Sequence, residues 1–262
     1  MNFRAEITGH WKAFIVIVII SVSMTSCLLS PSLAFDIPEK LNYDLSWIGI
    51  KAGESSLEIS DGEDGTIHIA STARSVGWVS VLFRVRDRVD AVIEKEPFWF
   101  PINYHLQQEE GARERNWEVV FDRKELKATY IDHLNDEKKE YEVPPKVFDP
   151  LSAFFMMRKA DLVIGESSYI TLFDSELLYE LEVKVIKKEK IVVPAGEFDT
   201  ILISPILQSE GIFSREGAIY TWLTDDEKRI PVKLKTKVSI GSISAELVSV
   251  ENSDSPVKKD DR

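Results

Sequence analysis

The chain has 262 residues, and its 44 Asp and Glu against 32 Lys and Arg give a formal net charge of -12. Hydrophobic residues make up 44% and charged residues 29%, which is a globular composition. The acidic balance argues against nucleic-acid binding, which needs a basic surface, and against electrostatic attachment to anionic lipid. A single cysteine excludes an internal disulfide framework and a cysteine-based zinc site.

The first segment has the pattern of a secretory signal. Arg4 and Lys12 precede an unbroken apolar run at 13–20, and small polar residues follow that run. The serine, leucine and alanine that end at Ala34 suit a signal peptidase, which predicts residues 1–34 as a signal peptide. The apolar run is short for a membrane span of about 20 residues, although an uncleaved anchor is an alternative.

Cys27 ends a second candidate processing site. The run Met24-Thr25-Ser26-Cys27 resembles a degenerate lipobox, in which the cysteine becomes lipidated. The residues after Cys27 are more apolar than a usual flexible tether, which favours cleavage after Ala34. The protein is therefore expected to be exported, with lipidation at Cys27 as the alternative.

Most of the remaining chain alternates between apolar and polar residues, which predicts half-buried antiparallel strands. In 232–238, for example, three lysines occupy one face and apolar residues or threonine the other. Turn-forming pairs such as Asp61-Gly62 separate the alternating segments. In chain order the predicted strands are 41–50, 54–60, 66–74, 87–95, 102–109, 114–122, 126–132, 138–143, 168–174, 179–185, 198–208, 216–224, 232–238 and 242–250.

Two stretches interrupt the strand pattern. Residues 77–83 carry a large apolar load, which predicts a short helix or turn. Residues 149–160 predict a helix, because Asp149 is a good N-cap and Pro150 suits the first helical position. Arg158 near the end of that segment suits the helix dipole. A pair of prolines shortly before the helix marks a hinge between an N-terminal and a C-terminal group of strands.

So many strands with one polar face cannot form a flat sheet, so they must close, curl or pack on a second sheet. The predicted fold is mostly β: a large antiparallel curled sheet, half-barrel or barrel-like, with one central helix at about 149–160. A sandwich is the alternative. The predicted organisation is a signal peptide at 1–34, a single β-rich domain at 35–251 and a disordered polar tail at 252–262.

Catalytic and metal-binding motifs do not stand out. His68, His105 and His133 lie in different predicted strands without ligand spacing, so neither a metal nor a cofactor is expected. The sequence has no G-x-S-x-G, P-loop or H-E-x-x-H motif. The densest acidic group, 225–227, is interpreted as a solvated turn that Arg229 could fix, with a cation or acid–base site as the alternative.

Aromatic residues are the candidate ligand contacts. In a curled sheet, inward aromatic side chains can line an apolar cavity, or they can fill an ordinary core. A sheet this long encloses more volume than one twelve-residue helix fills, which keeps the cavity as an alternative. The candidate cavity residues are Trp47, Trp78, Phe83, Trp117, Phe154, Phe155 and Trp222.

Four motifs in linear order resemble the DUF3108 family of exported bacterial proteins. The resemblance covers roughly residues 38–250, and it implies a predominantly β fold with a helix and export in a Gram-negative bacterium, hence a periplasmic location. It implies no established activity, so no catalytic residue is transferred. The motifs are Tyr43-x-x-x-Trp47-x-Gly49-x-x-Ala52-Gly53-Glu54, 148–154 with Arg158 and Gly165, 193–198, and 222–232 followed by Gly241-Ser242-Ile243.

Three functions follow as expectations. The first is an exported periplasmic or cell-envelope protein that binds or carries an apolar or amphipathic ligand such as a lipid. The second is a structural or interaction protein of the envelope, with another envelope protein as partner and no small-molecule ligand. The third is a hydrolase of envelope polysaccharide, which would need two carboxylates about 5–10 Å apart. No nucleic acid is expected as a partner.

Overall fold

The structure is a computed structural model that describes residues 36–95, 99–207, 219–238 and 241–252. The predicted signal peptide with its Cys27 lies outside the described residues, as does nearly all of the predicted tail. The described residues form helices α1 (Val79–Leu82) and α2 (Pro150–Arg158) and a one-turn 3-10 helix. The strands are β1 (Glu39–Trp47), β2 (Ile50–Asp61), β3 (Thr66–Ser75), β4 (Val85–Glu94), β5 (Pro101–Glu110), β6 (Arg113–Asp122), β7 (Lys127–Asp132), β8 (Glu137–Glu142), β9 (Ser167–Asp174), β10 (Leu177–Val193), β11 (Gly196–Leu207), β12 (Ile219–Thr224), β13 (Pro231–Lys237) and β14 (Ser242–Asn252).

All fourteen strands belong to one antiparallel sheet in the order β8-β7-β6-β5-β4-β3-β2-β1-β14-β13-β12-β11-β10-β9. The sheet is therefore two meanders, β1–β8 and β9–β14, that meet where β1 pairs with β14. Each predicted strand corresponds to one of these strands. The predicted mostly β fold, with a curled antiparallel sheet and a central helix, is confirmed.

Strand β10 is longer than the predicted segment 179–185. Its pairing with β11 shifts register between Val185 and Lys187, which is a β-bulge. A bulge adds one residue to the strand, so the alternation of apolar and polar residues changes phase. The charged run from Lys187 onward is therefore out of phase with the alternation before it, so the pattern predicts that the strand ends at residue 185.

The sheet curls until its two edge strands, β8 and β9, approach each other. Lys139 of β8 pairs with Glu176 at 2.6 Å, and the rings of Tyr141 and Phe173 are centred 5.3 Å apart. Phe148, which precedes α2, pairs with β9 through two backbone hydrogen bonds. The sheet is thus barrel-like but unclosed, and side chains and the helix connection cover its edges.

Helix α2 lies inside the curled sheet and fills one part of its interior. Asp149 Oδ1 accepts hydrogen bonds from the backbone N–H groups of Leu151 and Ser152 at 2.8 and 2.9 Å, so it is the predicted N-cap. Phe155 is fully buried in the main core cluster, and Met157 packs in a second cluster formed with β10, β11 and β12. The helix therefore joins the two halves of the core.

Among the residues that the structure describes, Arg158, at the end of α2, is the largest buried charged side chain. Its Nη1 and Nη2 donate to the two carboxylate oxygens of Glu39 on β1, at 2.7 and 3.1 Å. Its Nε donates to the carbonyl oxygen of Arg229 at 3.1 Å, and Nη2 donates to that of Lys228 at 3.0 Å. A buried charge costs much free energy unless it is paired and hydrogen-bonded, as it is here. One side chain thus ties α2 to β1 and to the β12–β13 turn.

Removing Arg158 is expected to destabilise the protein strongly. Arg158→Met leaves the Glu39 carboxylate buried without its partner, and the expected loss of unfolding free energy is about 3–5 kcal/mol. Lys127→Met, which breaks the exposed pair with Glu140, is the control and should cost at most about 1 kcal/mol. Urea denaturation measures both.

A double variant separates the buried charge from simple loss of packing. Arg158→Met combined with Glu39→Leu replaces both charges by apolar groups, so it should recover much of the single variant's loss. A single variant that loses less than about 1 kcal/mol would contradict the structural role of the contact.

The cap residue Asp149 is expected to make stability depend on pH. Burial raises its pKa from 3.8 to about 6, and its Oδ2 is buried without a hydrogen-bond partner. Because the folded pKa is the higher one, the folded state binds more protons between about pH 4 and 6, and the contribution of Asp149 falls as pH rises through that window.

Asp149→Asn keeps the accepting oxygen and removes the titration. Relative to the wild type, its unfolding free energy should therefore improve by roughly 2–3 kcal/mol between pH 4 and pH 7. Urea denaturation at both pH values measures this change, and the exposed Asp161→Asn controls for net charge. A difference between wild type and Asp149→Asn that is the same at both pH values would contradict the prediction.

Candidate functional site

One end of the curled sheet, which we call the mouth, is where β1 and β3 end and β4 and β14 begin. The opposite end carries the helix connection and the β12–β13 turn. In the described part of the chain, large apolar side chains are exposed mainly at or near the turns of the mouth. They are Ile48, Ile50, Trp78, Val81, Leu82, Phe83, Leu134, Leu177, Leu178, Ile206, Ile219, Val238 and Ile243.

An apolar cavity of about 660 Å³ opens at the mouth. Trp47 on β1 and Ile243 on β14 lie on one side of it, and Trp78, Leu82 and Phe83 from the β3–β4 connection lie on the other. The volume falls within the range of about 300–1,000 Å³ that small-molecule sites usually have. An apolar wall with few polar groups suits an apolar or amphipathic ligand.

The β3–β4 connection is held across the mouth by a close contact with the β5–β6 turn. A Cβ added to Gly111 would lie 2.8 Å from the ring of Phe83, so this approach requires a glycine. The Gly111 N–H also donates to the carbonyl oxygen of Arg84 at 2.8 Å. Helix α1, within the connection, buries none of its residues, and Val81 and Leu82 are 85% and 75% exposed. The connection therefore presents apolar side chains to solvent beside the cavity.

Polar side chains line one wall of the same cavity, and Asp87 and Glu110 carry its negative charge. Asp87 on β4 lies opposite Gln108 on β5, which lies opposite Arg115 on β6. Gln108 Nε2 donates to Asp87 Oδ2 at 3.2 Å, whereas Asp87 Oδ1 and Gln108 Oε1 are buried without a hydrogen-bond partner. Burial raises the pKa of Asp87, and the carboxylate of Glu110, which also lines the cavity, acts in the same direction. Asp87 thus brings negative charge and one open acceptor to this wall, and Gln108 carries a second open acceptor beside it on the neighbouring strand.

The structure brings three of the seven candidate cavity residues together. Trp47, Trp78 and Phe83 all line the mouth cavity. Phe154 lines a separate cavity of about 290 Å³ between the start of α2 and the sheet. Trp117 is almost completely buried and lies in the core cluster around α2 with Phe155. The interior thus has a core cluster around the helix, with a small cavity at the start of α2, and a larger cavity at the mouth.

Trp222 lies apart from the mouth cavity. Its Nε1 donates to Glu189 Oε1 at 2.8 Å, and Lys233 Nζ lies 5.9 Å from its ring centroid. The residue borders neither of the two apolar cavities described above. Its polar contacts link β10, β12 and β13.

The acidic group 225–227 forms the predicted turn. Asp226 Oδ1 accepts hydrogen bonds from Thr224 Oγ1 and from the backbone N–H groups of Lys228 and Arg229. The side chain of Arg229 contacts Asp225 at 3.3 Å, which confirms that it helps to fix the turn. Across the ranges that the structure describes, no group of three or more His, Cys, Asp or Glu could hold a metal ion.

A second concave surface, which we call the outer groove, crosses the outer face of β1–β6 and also has a volume of about 660 Å³. Arg74 and Arg86 lie directly opposite each other across β3 and β4 within it. Arg74 pairs with Glu54 at 2.6 Å, and amide and hydroxyl side chains such as Gln107 and Thr72 complete the lining. Charged and polar groups make this groove unlike the mouth cavity, and sequence patterns gave no indication of it.

Neither helix in the described ranges combines the length and the hydropathy of a membrane span. The fold and the cavity together define a class: a barrel-like protein with a curled, unclosed sheet and an apolar mouth. The sequence profile of the family described as "Protein of unknown function (DUF3108)" matches residues 42–248. The chain belongs to the DUF3108 family, and the predicted resemblance is confirmed.

One solved structure supports the same fold, and two more align less closely. The β-barrel-like protein of domain of unknown function DUF1849 from Brucella abortus aligns with a TM-score of 0.58 and 11% identity, over 84% of this chain and 100% of that one. A provisionally described lipoprotein from Parabacteroides distasonis aligns with a TM-score of 0.36 and 11% identity, over 84% of this chain and 98% of that one. A provisionally described exported protein with a YmcC-like fold from Bacteroides fragilis has a TM-score of 0.35 and 8% identity, over 83% and 99%.

The first of these likenesses supports the fold, and none of the three assigns a function. No curated protein matches the chain.

Proposed function

We propose that this protein is exported to the periplasm or cell envelope, where it binds or carries an apolar or amphipathic ligand, such as a lipid, in the mouth cavity. The observation that carries the proposal is the apolar cavity of about 660 Å³, open at the mouth and bordered by exposed apolar side chains. The packed core around α2 supplies a rigid base for that cavity.

The energetics of the mouth favour such a ligand. Burying apolar surface contributes roughly 25 cal/mol for each Å² removed from water. Val81 and Leu82 are almost fully exposed on α1, and Trp78 is half exposed just before it. Contiguous exposed apolar surface of this kind is uncommon on soluble proteins unless it serves in binding. A ligand in the cavity would cover part of it.

Export is supported by the first segment of the sequence. Its basic start, short apolar run and small residues before Ala34 have the order of a secretory signal. Lipidation at Cys27 would anchor the protein, and cleavage after Ala34 would release it. The net charge of -12 disfavours electrostatic attachment to anionic lipid, so contact with lipid would occur through the apolar mouth.

The ligand site can be tested with the neutral fluorescent probe N-phenyl-1-naphthylamine, whose emission rises in apolar surroundings. The wild type should bind the probe, and Leu82→Asp should weaken binding at least about tenfold, because it places a charge at the cavity. Leu82 is 75% exposed, so the substitution should leave folding intact. Fluorescence titration measures the affinity.

The matched control is Val163→Asp, which changes an exposed apolar residue after α2, away from the mouth. This control should bind the probe like the wild type. Absence of probe binding by the wild type, or equal weakening in both variants, would contradict a ligand site at the mouth.

The outer groove favours a second candidate function, that of an envelope interaction protein. Arg74 and Arg86 face each other across the strands, where like charges destabilise a sheet unless carboxylates offset them. Glu54 pairs with Arg74, and Glu109 lies opposite Arg86 on β5. An acidic segment of a partner protein would add further pairs, since arginine pairs well with carboxylates.

Under this alternative, Arg86→Glu should abolish a specific cross-link to an envelope protein in intact cells. Arg113→Glu, which changes an exposed arginine outside the groove, should keep the cross-link. Mass spectrometry of cross-linked species reads both out. A cross-link pattern that Arg86→Glu leaves unchanged would remove this candidate.

A further inference from the structure

We propose that the mouth cavity selects ligands whose head group donates hydrogen bonds and is uncharged or cationic, such as an alcohol or an ammonium group, and that Asp87 and Gln108 accept those hydrogen bonds. This inference rests on the proposed function, because it concerns the same cavity. It adds the chemical class of the head group, which the apolar lining alone does not specify.

Strand register places Asp87 below the apolar part of the cavity, with Gln108 opposite it on β5. Val85 and Asp87 both line the cavity and are two residues apart on β4, so they point to the same face about 7 Å apart. That face also carries the buried residues Ala91 and Ile93, so it is the concave one. A ligand whose head reaches Asp87 would extend its apolar part toward Trp78 at the mouth.

The hydrogen bond between the two side chains fixes which atoms remain open. Gln108 Nε2 donates to Asp87 Oδ2, and a reversed amide would bring two oxygens together instead. The buried atoms without partners, Asp87 Oδ1 and Gln108 Oε1, are therefore both acceptors. Buried acceptors are normally satisfied, so these two call for donors. A hydroxyl or ammonium group supplies donors, whereas a carboxylate supplies only lone pairs.

Charge acts in the same direction. The carboxylates of Asp87 and Glu110 line the cavity, whereas Arg74, which also borders it, is paired with Glu54. Each of the two carboxylates raises the cost of an anionic head group placed between them. The Arg115 guanidinium and the backbone N–H of Glu109 favour the charged form of Asp87. They therefore help to keep a negative charge on this wall. Among amphiphiles with equal chains, a cationic head should bind better than an anionic one.

Competition between chain-matched amphiphiles tests this selectivity. Dodecylammonium, dodecanol and dodecanoate are added below their critical micelle concentrations to the protein loaded with N-phenyl-1-naphthylamine. Dodecylammonium should displace the probe at a concentration at least tenfold lower than dodecanoate does. Dodecanol should also displace it at a lower concentration than dodecanoate does. Asp87→Asn should reduce the ratio between the two charged compounds to threefold or less.

The control variant is Glu114→Gln, which removes an exposed acid on the outer face of β6 and should keep the wild-type ratio. Gln108→Met removes the second acceptor and should weaken the displacement of the probe by dodecanol. This second variant keeps the inference testable if Asp87→Asn does not fold. If the wild type does not bind the probe, the proposed function fails. If the probe binds but dodecanoate competes as well as dodecylammonium, the head-group inference is wrong and the proposed function stands.

Discussion

The buried contact between Arg158 and Glu39 is the constraint on which the interior of this protein depends. It holds the end of α2 against β1, while the same guanidinium binds two carbonyl oxygens of the β12–β13 turn. Strand β1 belongs to the first meander and the β12–β13 turn to the second, so the contact also joins the two meanders. Breaking such a buried pair costs much free energy, because it leaves one charge buried without its partner. The contact therefore keeps α2 in one place.

The position of α2 decides where the interior is packed and where it is hollow. Phe155 and the surrounding aliphatic side chains fill the end nearer the helix connection. The helix does not extend to the mouth, where Trp47 and the β3–β4 connection border an apolar cavity instead. Packed and hollow parts thus follow from one helix that is shorter than the sheet around it. The proposed ligand site is the consequence.

Alternation and cap residues sufficed to predict the fourteen strands and α2, because both signals are local in sequence. The phase change at the β10 bulge was not local in that sense, since it depends on pairing with β11. Non-local contacts also explain why the sequence predicts the candidate site only in part. The sequence identifies Trp47 and Trp78 as candidate ligand contacts, but they come together only because the sheet curls. Asp87 and Gln108 are 21 positions apart, and only the strand register brings them into contact.

A crystal structure with 12-bromododecan-1-ol tests most directly whether an amphiphile binds in the mouth cavity. Anomalous scattering locates the bromine without reference to the rest of the density. We expect a bromine peak near Trp78 and Leu82, with the hydroxyl within hydrogen-bonding distance of Asp87. A bromine site elsewhere on the protein, with the mouth cavity free of the amphiphile at saturating concentration, would contradict it.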